Sequence, residues 1–313
     1  MVTITNNKGF PEALVKAVTN DTYSRGTADR SVTGLLAPPR QAALIERHGD
    51  MISEDVSERT FALYGQLVHL LLERAGEQSR NAINEERLYA EVGGWTISGQ
   101  TDTLTLTEDQ RSWIISDYKF VTAYKFKRSY SGELVIPEDY EQQLNLYAHL
   151  LQVNGFKVDG LKIVAIYRDW SKLEAKRDKN YPQLGAETHD IPLWSEDKAK
   201  AFIEERVRLH QEAMFLGNKY GEAASNLPEC TDEERWAKPD KFALMPTAKS
   251  ARARKLFNSE DEAYDWINTP KNGKLPMKEG WVLEYRQGAN VRCESYCLVS
   301  EYCEQFQALQ EIQ

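Results

Sequence analysis

Asp102, Asp117 and Lys119 have the residue types and the spacing of a site for a hard metal ion. Thr101–Leu106 and Trp113–Phe120 read as two strands, and the polar stretch Thr107–Ser112 between them reads as a turn. A regular antiparallel hairpin closed by that turn sets Leu106 opposite Trp113. Counting back along both strands then sets Asp102 opposite Asp117. Side chains opposed in a sheet have Cβ atoms about 5 Å apart, where like charges destabilise the pair. A divalent cation would offset the repulsion. Lys119 lies two residues beyond Asp117 and projects from the same face. Two carboxylates and a lysine on one face make a metal site with a cationic group beside it.

Other elements must bring further groups to that face. Ser53, Glu54 and Asp55 read as the cap and acidic first turn of a helix. Phe61, Tyr64, Val68, Leu71, Leu72 and Ala75 recur along it at helical spacing. Gly65 and His69 stand four residues apart, on one face. A glycine inside a helix costs about 1 kcal/mol relative to alanine, so Gly65 predicts close approach by another element. A lone histidine reads first as one satisfied near the core. Beside an acidic pair, the His69 imidazole becomes a candidate metal ligand. Glu85–Val92 reads as a strand that turns through Gly93-Gly94 into Trp95–Gln100; Glu86 and Glu91 are candidate acidic neighbours of the site but read first as exposed strand charges.

After Lys119 the chain mixes rings and cations: Phe120, Tyr124, Lys125, Phe126, Lys127, Arg128 and Tyr130. Such a segment fits a nucleic acid, with cations on phosphates and rings on unpaired bases. It equally fits a strand edge with surface lysines. Pro137, Glu138 and Asp139 open a helix that runs to Val153 and closes at Asn154-Gly155. Tyr140, Leu144, Tyr147, Ala148 and Leu151 form its apolar stripe, and Gln143 precedes Tyr147 by one turn. Leu161–Tyr167 is a buried strand, Ile191–Leu193 a short one, and Asp197–Leu216 a long amphipathic helix. This order predicts an α/β core, a mixed sheet flanked by helices.

In the first fifty residues, Phe10–Val18 and Arg40–Arg47 read as short helices, the second anchored by Leu44 and Ile45. Tyr23–Gly34 reads as polar turns. Arg25, Arg30, Arg40 and Arg47 could touch phosphates, but read first as solvated surface.

The chain has 313 residues, 41% hydrophobic and 28% charged, enough for a real core in one large domain or two. A net charge of −9 argues against a protein that coats nucleic acid non-specifically, and leaves room for a local basic groove. No charged-then-apolar leader and no run of about eighteen apolar residues occurs, which predicts a cytoplasmic protein without membrane association. In a reducing compartment the four cysteines are better candidates for metal ligands than for disulfides. Cys293, Cys297 and Cys303 fall within eleven residues, and Cys230 is the only other. Four thiolates could close around one centre; buried free thiols are the alternative. Around them, Asn226–Trp236 and Lys238–Pro246 read as loops or short elements. Lys249–Phe257 reads as a basic helical segment that fits a phosphate backbone or a solvated face. Ser259–Ile267 reads as a helix with a Ser259–Glu262 capping box.

Gly65-x3-His69, Gly99-x2-Asp102, Asp117-x-Lys119 and Gln143-x3-Tyr147 follow in this order, each on the expected element. Together they resemble the RecB-type branch of the PD-(D/E)XK nuclease superfamily, over about residues 40–170. The resemblance implies a restriction-endonuclease-like core over residues 51–217, preceded by a helical and irregular segment (1–50) and followed by a four-cysteine segment (218–313). It implies that His69, Asp102, Asp117 and the main-chain carbonyl of Tyr118 bind catalytic Mg²⁺ or Mn²⁺. Lys119 would position or activate the attacking water and stabilise the pentavalent phosphate. Gln143 and Tyr147 would hold the site and the nucleic-acid strand, with Lys125, Lys127 and Arg128 as further, weaker DNA contacts.

The activity implied is a DNA exonuclease in recombination, repair or phage DNA processing, on single- or double-stranded DNA, alone or with a helicase or recombination partner. The alternatives are a structure-specific endonuclease and a catalytically silent DNA-binding scaffold. The presence of both Asp117 and Lys119 counts against silence. Iron–sulfur relatives of the AddB and CRISPR-associated types carry cysteine groups at or beyond the ends of the core. This favours a [4Fe–4S] cluster on Cys230, Cys293, Cys297 and Cys303. Those relatives place one cysteine before the core, and two residues is their usual spacing. Here Cys230 follows the core and three residues separate Cys293 from Cys297, which keeps Zn²⁺ open.

Overall fold

The computed structural model describes residues 2–20, 26–76, 81–129, 131–220, 226–270 and 278–312; Arg25 and Tyr130 lie outside them. The chain begins with β1 (Thr3–Thr5), α1 (Glu12–Thr19), β2 (Arg30–Ser31), α2 (Val32–Leu36), α3 (Pro39–His48) and β3 (Ser53–Asp55). Next come α4 (Val56–Gly76), β4 (Ala82–Val92), β5 (Trp95–Leu106), β6 (Trp113–Val121), α5 (Glu138–Val153), β7 (Val158–Tyr167), α6 (Lys172–Arg177), β8 (Ala186–Ile191) and α7 (Glu196–Tyr220). The last part holds α8 (Asp232–Arg235), β9 (Ala237–Lys238), β10 (Lys241–Met245), β11 (Lys255–Phe257), α9 (Glu260–Asn268), β12 (Val282–Arg286), β13 (Ala289–Asn290), α10 (Val291–Ser295) and α11 (Glu304–Ile312). Two compact units result, Met1–Leu227 and Pro228–Gln313.

The first unit is built on one mixed sheet, ordered β2-β5-β6-β7-β8, with β4 also paired to β5. β5 is antiparallel to β4 and β6, whereas β6 and β7 run parallel. Gly93 and Gly94 turn β4 into β5 with φ of 57° and 80°, the positive values a tight hairpin turn demands. Leu106 pairs with Trp113, as a hairpin closed by Thr107–Ser112 predicts. α5 makes the crossover from β6 to β7 and supplies Leu144, Leu146, Leu150 and Leu151 to a core with Ile97, Leu104, Ile115, Leu161 and Ile163. Each such side chain contributes about 1.5–3 kcal/mol by full burial. Asn145 is a buried polar member of the same helix. Its Nδ2 donates to Glu141 O and Pro192 O, and its Oδ1 accepts from Trp194 N at 2.7 Å.

Adjacent residues on a strand point to opposite faces. Lys119 on β6 meets Gln143 of α5, while the Phe120 ring lies 6.1 Å from the Tyr64 ring of α4. α4 and α5 therefore cover opposite faces of the sheet. No helix among the described residues is long and apolar enough to cross a membrane.

Tertiary contacts overturn several local expectations. Arg40 is buried and donates to Leu227 O at 2.9 Å; Arg47 donates to Gly217 O; Arg30 pairs with Glu46 at 3.3 Å. These arginines hold carbonyls and a carboxylate of the same unit rather than forming a solvated surface. The stretch ending at Gly34 is not all turns: Ser31 closes β2 and caps α2, accepting from Gly34 N. Ser53 does not cap α4, because Ser53–Asp55 is a strand pairing with β1. Asp55 does so instead, accepting from Ser57 N at 3.0 Å and Ser57 Oγ at 2.8 Å. The stripe expected to bury α4 is largely exposed at Phe61, Tyr64 and Leu71. The last strand of the sheet lies earlier than Ile191–Leu193, at Ala186–Ile191, because Pro192 cannot continue a ladder.

In the second unit β11, β10 and β12 form an antiparallel sheet over which α9 packs. Leu244, Phe257, Ala263 and Ile267 are its core, with Phe242, Trp266, Trp281 and Leu283 against them. Lys249–Phe257 is not helical. It bends and ends in β11, with Arg254 N donating to Leu244 O at 2.7 Å and Phe257 buried. Ser259 caps α9 as expected, but Glu262 returns to Asn258 N, not to Ser259 N. A complete capping box appears one helix earlier, between Thr231 and Glu234 at α8.

Candidate active site

The β5–β6 ladder keeps the predicted register as far as Thr103↔Ser116, one pair short of the two aspartates. There the strands part, and Asp102 turns to the freed backbone: its Oδ2 accepts from Tyr118 N at 2.7 Å. Its Oδ1 lies 3.4 Å from Nδ1 of half-exposed His69, which α4 brings over the sheet. Asp117 is buried, with Oδ2 2.7 Å from Lys119 Nζ. Among the described residues that oxygen accepts no aligned hydrogen bond. The repulsion for which the sequence invoked a divalent cation is thus met here by the Lys119 ammonium and the Tyr118 amide.

α5 completes the group. Lys119 Nζ donates to Gln143 Oε1 at 2.9 Å. Gln143 Nε2 reaches Tyr147 OH at 2.9 Å and Asp117 Oδ1 at 3.4 Å. Tyr140, one turn before Gln143, lies under the ammonium with its ring centroid 5.0 Å from Nζ. Burial pulls the Lys119 pKa down, but Asp117 and then Asp102 outweigh it and the net direction is upward. Lys119 is therefore a fixed cation. The Tyr140 hydroxyl is pushed up to about 12, chiefly by burial, and stays neutral.

Two members escaped the sequence reading. Tyr140 counted only as an apolar position, although Tyr140, Gln143 and Tyr147 share one face at i, i+3, i+7. Gly99 marked a motif without a stated role. A Cβ there would lie 2.9 Å from Tyr147 Cδ1 and 3.0 Å from Leu150 Cδ2. Only glycine lets the Tyr147 ring lie on β5. Gly65 departs from expectation in the opposite sense: a Cβ there would meet nothing within 4 Å.

The segment after Lys119 is mostly tied to protein. Phe126 is buried and stacks on His189 at 4.8 Å, so it is not a free stacking ring. Lys125 Nζ lies 4.6 Å from the Tyr140 centroid, Lys127 pairs with Asp178 at 2.6 Å, and Arg128 Nη1 donates to Gly132 O at 3.3 Å.

In the second unit, burial and then the proximity of Cys297 and Cys303 push the Cys293 thiol up to about 11. The Cys297 thiol is also raised, first by burial and further by Cys303. Gln305 bonds both N and O of Cys230 at 2.9 Å. No disulfide joins any of the four cysteines. As the side chains stand, no three His, Cys, Asp or Glu among the described residues are gathered to hold a metal ion. The donor types nonetheless fit: a buried carboxylate oxygen without an aligned donor in the first unit, and mutually interacting thiols in the second.

The family model of the PD-(D/E)XK nuclease superfamily matches residues 77–304, a span that includes Asp102, Asp117, Lys119, Gln143 and Tyr147 and all four cysteines. The chain belongs to that superfamily. Among solved structures, SSO0001 is similar at 19% identity with a TM-score of 0.40, over 63% of this chain and 82% of that one. A candidate exonuclease from Eubacterium rectale is similar at 10% identity with a TM-score of 0.30, over 56% of this chain and 60% of that one. No curated protein matches the chain at a significant level.

Proposed function

We propose that this protein is a metal-dependent DNA exonuclease of the RecB-like branch, serving recombination, repair or phage DNA processing. One observation carries the reading: His69–Asp102 and Asp117–Lys119–Gln143–Tyr147 converge from α4, β5, β6 and α5 on one point of the sheet. His69, Asp102, Asp117 and the Tyr118 carbonyl would hold Mg²⁺ or Mn²⁺. Such an ion supplies Lewis-acid activation of the phosphodiester and of water. The chain's own residues do the rest. Lys119 presents a fixed positive charge where negative charge develops on phosphorus oxygens. Gln143 holds that ammonium in place, and Tyr147 holds Gln143. Cys230, Cys293, Cys297 and Cys303 would bind a structural [4Fe–4S] cluster or Zn²⁺.

The test is incubation of linear and closed circular DNA with Mg²⁺ or Mn²⁺, for wild type, Asp117→Ala and Lys119→Ala. Loss of linear DNA alone, abolished in both variants, is the expected outcome. Cutting of closed circles makes the protein an endonuclease. Absence of any metal-dependent loss leaves a DNA-binding scaffold.

A further inference from the structure

Phe61, Gly65, Val68, His69 and Leu72 recur at i, i+4, i+7, i+8 and i+11, which places them on one face of α4. His69 on that face reaches Asp102, so the face looks toward the sheet. That face is uncovered at Phe61 and Gly65. Phe61 is 66% exposed, and the Gly65 backbone has no neighbour within 4 Å of where a Cβ would stand. Beside this bare backbone three rings follow one another: Phe61 to Tyr64 at 6.2 Å, then Tyr64 to Phe120 at 6.1 Å, with Tyr64 52% exposed. The exposed Arg168 lays its guanidinium 5.3 Å from the Phe61 centroid. Phe120 is the residue after Lys119, and Phe61 precedes His69 by eight residues, about 12 Å along a helix.

We infer that this exposed face takes the unpaired end of a DNA strand, its bases stacking on Phe61, Tyr64 and Phe120 as its backbone passes Gly65 toward His69. The inference rests on the nuclease reading and sharpens its substrate to single-stranded DNA. Flat rings beside a guanidinium suit unpaired bases and a phosphate. A duplex hides its base faces from such rings. Gly65, which nothing in the folded unit requires, leaves room for the strand.

The experiment measures binding of oligodeoxythymidine and of blunt duplex by fluorescence anisotropy in EDTA. The variants are Phe61→Ala/Tyr64→Ala, Phe61→Leu/Tyr64→Leu and Phe61→Tyr/Tyr64→Phe. Expected is roughly tenfold weaker single-strand binding per ring removed, in the alanine and leucine variants alike. The aromatic exchange retains wild-type affinity, which separates stacking from misfolding, and duplex binding is unchanged. Wild-type affinity in the alanine variant overturns the inference, as does full affinity in the leucine variant, which would mark a merely apolar surface. Wild type that degrades DNA but binds no single strand also overturns it, while leaving the nuclease reading intact. Wild type that neither binds nor degrades DNA removes both.

Discussion

A methyl group at Gly99 would collide with the ring of Tyr147, whose hydroxyl holds the Gln143 amide that in turn holds the Lys119 ammonium. The smallest possible substitution therefore tests a chain of three contacts. Gly99→Ala is expected to destabilise the protein by about 1–3 kcal/mol in urea unfolding, as overpacking does. Metal-dependent DNA degradation should fall with it. Tyr147→Phe keeps the ring and removes only the hydroxyl, so stability changes by about 1 kcal/mol or less, yet kcat drops while KM for DNA barely moves. A Gly99→Ala protein with wild-type stability and rate would show that Tyr147 does not need that seat.

At the scale of elements, α7 holds the end of α2. Arg206 Nε and Nη2 donate to Leu35 O and Ala37 O at 2.8 and 2.7 Å, and His210 Nε2 lies 3.1 and 3.2 Å from the same carbonyls. His210 is fully buried beside Arg206, and burial, then that arginine, lowers its pKa to about 4. The folded protein thus keeps His210 neutral where the unfolded chain would protonate it. Its contribution is complete above about pH 6.5 and is lost as pH falls toward 4, by up to about 3 kcal/mol. Burial lowers His149 and His189 as well, with the same sign. Urea midpoints should therefore decline through this window, and His210→Gln should make the decline shallower. An identical slope in that variant would locate the pH sensitivity elsewhere.

Across the whole molecule, each of the two units has a core of its own, and the four cysteines belong to the second. A thiolate-bound centre there would act as a staple for a small core. Purified protein is then expected to carry iron or zinc. Absorbance near 400 nm (roughly, for thiolate-bound iron) would mark a cluster, and a colourless zinc-loaded protein the alternative. Cys293→Ser and Cys303→Ser should lose the metal and lower Tm, whereas Asp117→Ala should keep both. Metal-free wild type with an unchanged Tm would leave the four as ordinary thiols.

Periodicity and turn chemistry are local, and they made much of this protein legible in one dimension. The Leu106↔Trp113 register, the Gly93-Gly94 turn, the limits of α5 and the four-residue spacings of Gly65 with His69 and Gln143 with Tyr147 all follow from neighbours a few residues away. Local pattern says which face a side chain takes; it cannot say what lies across from that face. Tertiary structure alone decided that Arg40 is buried on Leu227, that Lys255–Phe257 joins a sheet, and that Phe126 leaves the surface for His189. It also decided that Asp102 turns to the Tyr118 amide where its ladder ends, and that Gly99 makes way for Tyr147 while Gly65 faces open space. Each of these outcomes depends on a partner distant in the chain, because burial and charge pairing are settled between elements.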